Sequence, residues 1–214
     1  MAIRAPKWPY QRHNQPRVFH YRYRRHIGLL GGSFNPAHDG HLILSKTTRL
    51  RTKCDEIWWL VSPQNPLKSD KDMAEFSQRL AYARKIAAPY PWLKILDLES
   101  QSGTRYTYDT IRFLRQRSSK VRYSWIMGTD NLVQFSDWYK ARKMAHLLPF
   151  VVLARKGSFY AAMASKGRSY FRRNNAISAQ KGLTIIRAFH APQSATILRR
   201  QGFWQQQSQR QDIK

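Results

Sequence analysis

Cysteine is nearly absent from this chain: Cys54 is the only one in 214 residues. An internal disulfide is excluded, Cys54 has no partner for a cysteine-based metal site, and a reducing, cytoplasmic compartment is the expectation. Cys54 reads as a small buried side chain. Acidic residues are scarce as well. Only 12 Asp and Glu stand against 38 Lys and Arg, a formal net charge of +26. The first carboxylate is Asp39, and none occurs between Trp138 and Gln211. A caged divalent cation needs several oxygen ligands close together, and no carboxylate cluster is visible to supply them. The cationic surplus favours anionic ligands and attracts nucleic acid non-specifically at low salt, without choosing between the two. Long apolar runs are also missing: stretches such as Phe150-Val151-Val152-Leu153-Ala154 fall far short of the roughly 20 residues of a membrane span. No internal repeat and no RNP, KH, zinc or helix-turn-helix pattern is found.

A chain of this length can bury a full core, and one α/β domain over residues 26–204 is the expectation. Residues 1–25 hold Pro6, Pro9 and Pro16, set Arg22, Arg24 and Arg25 beside Tyr21 and Tyr23, and have no apolar stretch. They read as a basic, disordered extension, not a secretory signal. Residues 205–214 are a Gln-rich polar tail. In between, short β-rich runs alternate with helical patterns, the arrangement of a Rossmann-like, doubly wound parallel sheet. Strands are predicted over residues 26–31, 57–61, 93–98, 123–127, 150–154 and 183–188. Helices are predicted over 40–53, 73–88 with Pro89 as its stop, 107–117 and 132–146, with a short one at 160–165. Trp58 and Trp59 read as core; His146 and His190 belong to no recognisable pattern and read as structural.

The stretch Gly31-Gly32-Ser33-Phe34-Asn35-Pro36-Ala37-His38-Asp39-Gly40-His41 leaves the first strand and opens into the first helix. Open α/β sheets bind ligands at such a junction. Gly31 and Gly32 let the backbone approach a ligand closely, Asn35-Pro36 makes a turn, and the N–H groups of a helix start suit an anion. His38 and His41, three residues apart, fall on one face of the first turn at the positive end of the helix dipole. Two neutral donors would then point at a phosphate. Near the other end of the chain, Ser194 is a reasonable N-cap, and Arg199, one turn on, reaches an anion held at that helix start.

The run Gly31 to His41 resembles the GGxFxPxHxGH signature of the nucleotidyltransferase superfamily, which transfers an adenylyl or cytidylyl group from an NTP to a phosphate. Further loops are similar to one branch, the bacterial nicotinate-nucleotide adenylyltransferases. They are the Pro63 to Lys68 loop, Tyr106-Thr107 with Thr110, Gly128-Thr129-Asp130 with Phe135 and Trp138-Tyr139, Arg155, and Ser194 to Arg199. The resemblance covers about residues 26–203. It implies transfer of the AMP moiety of ATP to nicotinate mononucleotide, giving deamido-NAD (nicotinate adenine dinucleotide) and pyrophosphate, in NAD biosynthesis. It further implies that His38, His41 and Arg199 are catalytic contacts to the phosphates, and that Gly31, Gly32, Ser33, Phe34, Gly40, Ser194 and Thr196 bind ATP. Lys68, Thr107, Asp130, Trp138, Tyr139 and Arg155 correspond to the nicotinate mononucleotide side.

The chemistry agrees with that donor set. In-line adenylyl transfer asks the protein to align two reactants and to stabilise charge on the α-phosphate and the departing pyrophosphate. The attacking phosphate monoester is already ionised, so no general base is needed, and Mg2+ arrives on ATP without dedicated protein ligands. Two positions depart from the family pattern: Ala195 stands where a second serine is common, and Leu67 precedes Lys68 where histidine is more usual. The alternatives are a sister adenylyltransferase using nicotinamide mononucleotide or phosphopantetheine, and a basic nucleic-acid-binding protein. No specific nucleic acid and no membrane is expected as a partner, and the oligomeric state is not legible.

Overall fold

Six short apolar runs form parallel strands: β1 (His26–Gly32), β2 (Glu56–Val61), β3 (Leu93–Leu96), β4 (Arg122–Gly128), β5 (Pro149–Ala154) and β6 (Gly182–Arg187). They lie in the order β3-β2-β1-β4-β5-β6, every neighbouring pair parallel. The computed structural model describes residues 25–63, 73–104, 106–118, 120–154, 157–171, 182–187, 198–199 and 203–204. The extension and tail expected at 1–25 and 205–214 lie outside these residues, Arg25 excepted.

Strands buried on both faces read as continuous apolar runs, because alternate side chains feed two cores. In β2, Trp58 and Leu60 enter one core, with Leu29, Trp125, Met127, Phe150 and Val152. Ile57, Trp59 and Val61 enter the other, with Leu30, Ile126, Val151 and Leu153. Burying each such side chain contributes roughly 1.5–3 kcal/mol before conformational entropy is set against it. The helices that cover the sheet are α1 (Asp39–Thr52), α2 (Phe76–Ala87), α3 (Leu98–Ser102), α4 (Thr107–Arg117), α5 (Thr129–Gln134), α6 (Ala141–Met144), α7 (Phe159–Ala164) and α8 (Lys166–Ser169). Leu44, Leu80 and Ala83 of α1 and α2 close the second core, and Ile111, Leu114 and Leu132 of α4 and α5 close the first. Cys54 is buried as expected. Among the described residues no helix is long and apolar enough to cross a membrane.

Three predicted elements differ in extent by more than a residue at either end. The helix expected over 132–146 is broken into α5, a 3-10 turn at Phe135–Asp137, and α6. Trp138 turns extended at φ −73° and ψ 144°, and Lys140 takes a left-handed conformation at φ 52°. Ser136 donates its hydroxyl to the Asp137 carboxylate locally, a competitor to helical bonding. The third strand stops at Leu96, because Asp97 is already the N-cap of α3. α2 starts at Phe76 instead of Met73: the Ala74 backbone is engaged with Asn35 and Arg79. α3 and α8 were not anticipated.

β1 and β4 are neighbours from which the chain winds in opposite directions, so a crevice opens beyond their C-terminal ends. The loop after β1 and the segment after β4 both begin there. One glycine is required by this geometry. A Cβ on Gly31 would lie 2.5 Å from Cη2 of Trp125, so the indole occupies the space that a side chain would need.

Candidate active site

His38 stands one residue before α1, as its N-cap, with φ −155° and ψ 171°. Its Nδ1 accepts the Gly40 N–H at 3.0 Å, and Nδ1 of His41 accepts the His38 N–H at 3.2 Å. Two histidines therefore perform the reciprocal capping that Ser or Thr and Glu usually perform. A ring nitrogen that accepts carries no proton, so each neutral imidazole holds its proton on Nε2. The capping thus fixes both rings in the tautomer that donates from Nε2. The rings lie 4.0 Å apart, with His38 only 6% exposed.

The support beneath them is aromatic. Phe34, at φ 46°, stacks on Trp59 at 4.8 Å and meets the His41 ring at 4.7 Å. Trp59 donates its Nε1–H to Ser45 Oγ at 2.7 Å, and that hydroxyl donates to the His41 carbonyl at 2.8 Å. Phe34, 1% exposed, is thus core packing beneath the two histidines. Gly31 and Gly32 end β1, Ser33 follows, and Gly40 is buried in the first turn of α1 with its N–H given to His38.

Arg199, distant in sequence, is drawn to the same loop: its Nη1 donates to the Asn35 carbonyl at 2.8 Å. Trp204 Nε1 donates to Asn35 Oδ1 at 2.7 Å, while Phe203 and Trp204 pack on Tyr82 of α2. Asn35 and Trp204 were missed in the sequence, as was Arg79. That arginine is 1% exposed, and burial depresses its pKa, with Glu75 opposing. Glu99 was missed too. It is buried beside the exit of β2; desolvation pushes its carboxyl up to about 7, and a hydrogen bond from Ser62 opposes the shift.

Of the second set of predicted residues, Thr107, Trp138 and Tyr139 lie around the start of α4 and the turn after α5. Thr107 is the first residue of α4, behind Tyr106, whose ring stacks on Tyr139 at 4.4 Å. Lys140 Nζ lies 4.5 Å from the centre of the Tyr139 ring. Trp138, partly buried, packs edge-on against Phe135 at 5.6 Å and Trp125 at 6.2 Å. Asp130 is exposed in the first turn of α5, next to the buried Thr129, whose hydroxyl bonds that of Ser158. Lys68, Arg155, Ser194 and Thr196 lie outside the described residues, as do Leu67 and Ala195. Among the described residues no three His, Cys, Asp or Glu side chains converge to hold a metal.

The Cytidylyltransferase-like family matches residues 29–201. A protein of Parvibaculum lavamentivorans named probable nicotinate-nucleotide adenylyltransferase is 40% identical over 187 residues, which cover 83% of this chain and 92% of the relative. One of the same name from Gluconobacter oxydans is 42% identical over 185 residues, 82% of this chain and 94% of the relative. The fold is similar to that of a nicotinic acid mononucleotide adenylyltransferase of Plasmodium falciparum solved complexed with NaAD, with a TM-score of 0.66 at 20% identity over 83% of each chain. Such identity, sustained over nearly the whole length of these relatives, places the chain in the nicotinate-nucleotide adenylyltransferase family.

Proposed function

We propose that this protein transfers the AMP moiety of ATP to nicotinate mononucleotide, forming deamido-NAD and pyrophosphate in cytoplasmic NAD biosynthesis. The observation that carries the reading is the pair of imidazoles fixed as Nε2–H donors at the start of α1, with Arg199 held on the same loop. A phosphate oxygen of the mononucleotide attacks the α-phosphorus of ATP. The new P–O bond forms as the α–β anhydride bond breaks, and pyrophosphate leaves with the electron pair. No proton has to be removed from the nucleophile. His38, His41 and Arg199 donate to the phosphates as charge moves onto the leaving group, a role in which a single donor is worth on the order of a hundredfold in rate. Ser194 and Thr196 add donors from the C-terminal segment. Gly31, Gly32, Ser33, Phe34 and Gly40 give the backbone of the ATP half.

The acceptor half consists of Thr107, Trp138 and Tyr139 around the pyridine ring, with Asp130, Lys68 and Arg155 toward ribose and phosphate. Mg2+ enters bound to ATP and screens the phosphate charge, with no dedicated protein ligand. Pyrophosphate release is to be measured with ATP, Mg2+ and, separately, nicotinate mononucleotide, nicotinamide mononucleotide and phosphopantetheine. The highest kcat/KM is expected with nicotinate mononucleotide. A preference for another acceptor replaces the substrate assignment, and no turnover with any of them overturns the reading.

A further inference from the structure

Arg79 of α2 is a buried cation with no carboxylate at ion-pair distance among the described residues. Its charge is met by four backbone carbonyls. Nη1 donates to Ser33 O at 2.6 Å and to Ser62 O at 2.8 Å, Nη2 to Pro63 O at 2.7 Å, and Nε to Ala74 O at 2.9 Å. These carbonyls belong to three segments. Ser33 is in the loop that leaves β1 and carries His38, Ser62 and Pro63 form the exit of β2, and Ala74 leads into α2. The Ala74 peptide is bonded on both sides, because its N–H donates to Asn35 Oδ1 at 3.3 Å, and Asn35 in turn accepts from Arg199. A hydrogen-bonded path therefore runs from Arg79 through Ala74 and Asn35 to a second arginine.

Stability alone does not account for this arrangement. Desolvating a guanidinium is costly, and an apolar side chain on this buried helix face would fill the core without that cost. What the guanidinium adds is geometry: its planar fork sets donors in fixed directions, which a lysine ammonium or an alkyl chain does not do. We propose that Arg79 is a positioning residue that locks the ATP-binding loop after β1 to the acceptor-side loop after β2, setting the distance between the two substrates. The proposal rests on the adenylyl-transfer reading above. It assigns Arg79 no contact with either substrate. In-line attack is sensitive to such a lock, since a misplacement of about 1 Å between reactants can cost on the order of a hundredfold in rate.

The test uses Arg79→Lys and Arg79→Gln in the full chain, with melting curves, steady-state kinetics for each substrate, and hydrogen exchange of the segments 31–36 and 60–63 without substrate. Both variants are expected to fold, with kcat reduced at least tenfold, KM raised for ATP and for nicotinate mononucleotide together, and faster exchange in both segments. Arg79→Lys is expected to recover only part of the rate. Folded variants with kcat and both KM values within twofold of the wild type overturn the proposal. So does a change confined to one substrate or one segment, or a failure of both variants to fold, which would make Arg79 a folding requirement. If the wild type itself releases no pyrophosphate, the reaction assignment fails, and the exchange measurement still decides whether Arg79 joins the loops.

Discussion

At the scale of single residues, the proposed reaction has the two histidines serve helix α1 and phosphate binding through different atoms of the same rings. Nδ1 caps the helix, which leaves Nε2 to donate. Asparagine is itself a good N-cap, and its amide replaces the Nδ1 edge but does not extend to Nε2. His38→Asn is therefore expected to melt within a few degrees of the wild type while kcat falls at least on the order of a hundredfold. His38→Ala is expected to lose the same rate and, in addition, about 1 kcal/mol of stability with the cap. A near-native rate in His38→Asn, measured by pyrophosphate release, would remove that imidazole from the reaction. The pair was legible in sequence because spacing and the neighbouring glycines carry it. Arg79 was not read, although its signal was present: it lies among Phe76, Leu80, Ala83 and Ala87 on the apolar face of α2. In a chain with 38 basic residues one more arginine on a helix draws no notice. Asn35 was read as a turn former, and only the fold brings Trp204 and Arg199 to its two oxygens.

At the scale of elements, the strands were legible because a fully buried parallel strand is a short apolar run, and nothing else in this chain looks like one. The single helix expected over 132–146 was not realised, because Leu132, Phe135 and Met144 bury equally well from a broken path. The break at Trp138 to Lys140 puts Tyr139 against Tyr106, which a continuous helix would not do. Helix α1 ends less favourably than it could: Lys53 follows it in a left-handed conformation at φ 54°, where glycine carries no Cβ penalty. Lys53→Gly is expected to stabilise the protein by about 0.5–1 kcal/mol. That corresponds to a rise of a few degrees in Tm for a chain of this size. Because Lys53 is at the opposite end of α1 from the histidines, kcat is expected to stay unchanged. An unaltered or lower Tm by calorimetry would show that the Lys53 side chain contributes more than its backbone conformation costs.

At the scale of the whole molecule, the shortage of acids leaves one ion pair among the described residues, Arg25 to Glu56 at 3.8 Å. Cations lean on rings instead: Lys46 on Tyr90, Arg49 on Trp92, Arg117 on Phe113 and Arg142 on Tyr170. Few carboxylates also means that pH acts on stability through few groups, and two of them oppose each other. Glu99, at the C-terminal end of the sheet, is raised by burial from 4.5 to about 7. Its stabilising, protonated form is fully present below pH 4.5 and is lost as pH rises through 7. His26, at the N-terminal end, is lowered from 6.5 to about 4 by burial and by Arg122, and its Nε2 shares a hydrogen bond with Ser124 Oγ at 2.7 Å. Its contribution is present above pH 6.5 and is lost as pH falls through 4. Each is worth up to about 3 kcal/mol, so across the shared window the two slopes nearly cancel. Glu99→Gln keeps an acceptor for Ser62 and removes one slope. Melting curves of that variant are expected to show stability climbing from pH 4 to 6.5 and then levelling, whereas the wild type stays nearly flat over that range. The difference between the two proteins is expected to grow in favour of the variant between pH 4.5 and 7. Parallel profiles for the two proteins would mean that Glu99 titrates in the folded chain as it does in water, and that the buried carboxyl has no part in the pH response.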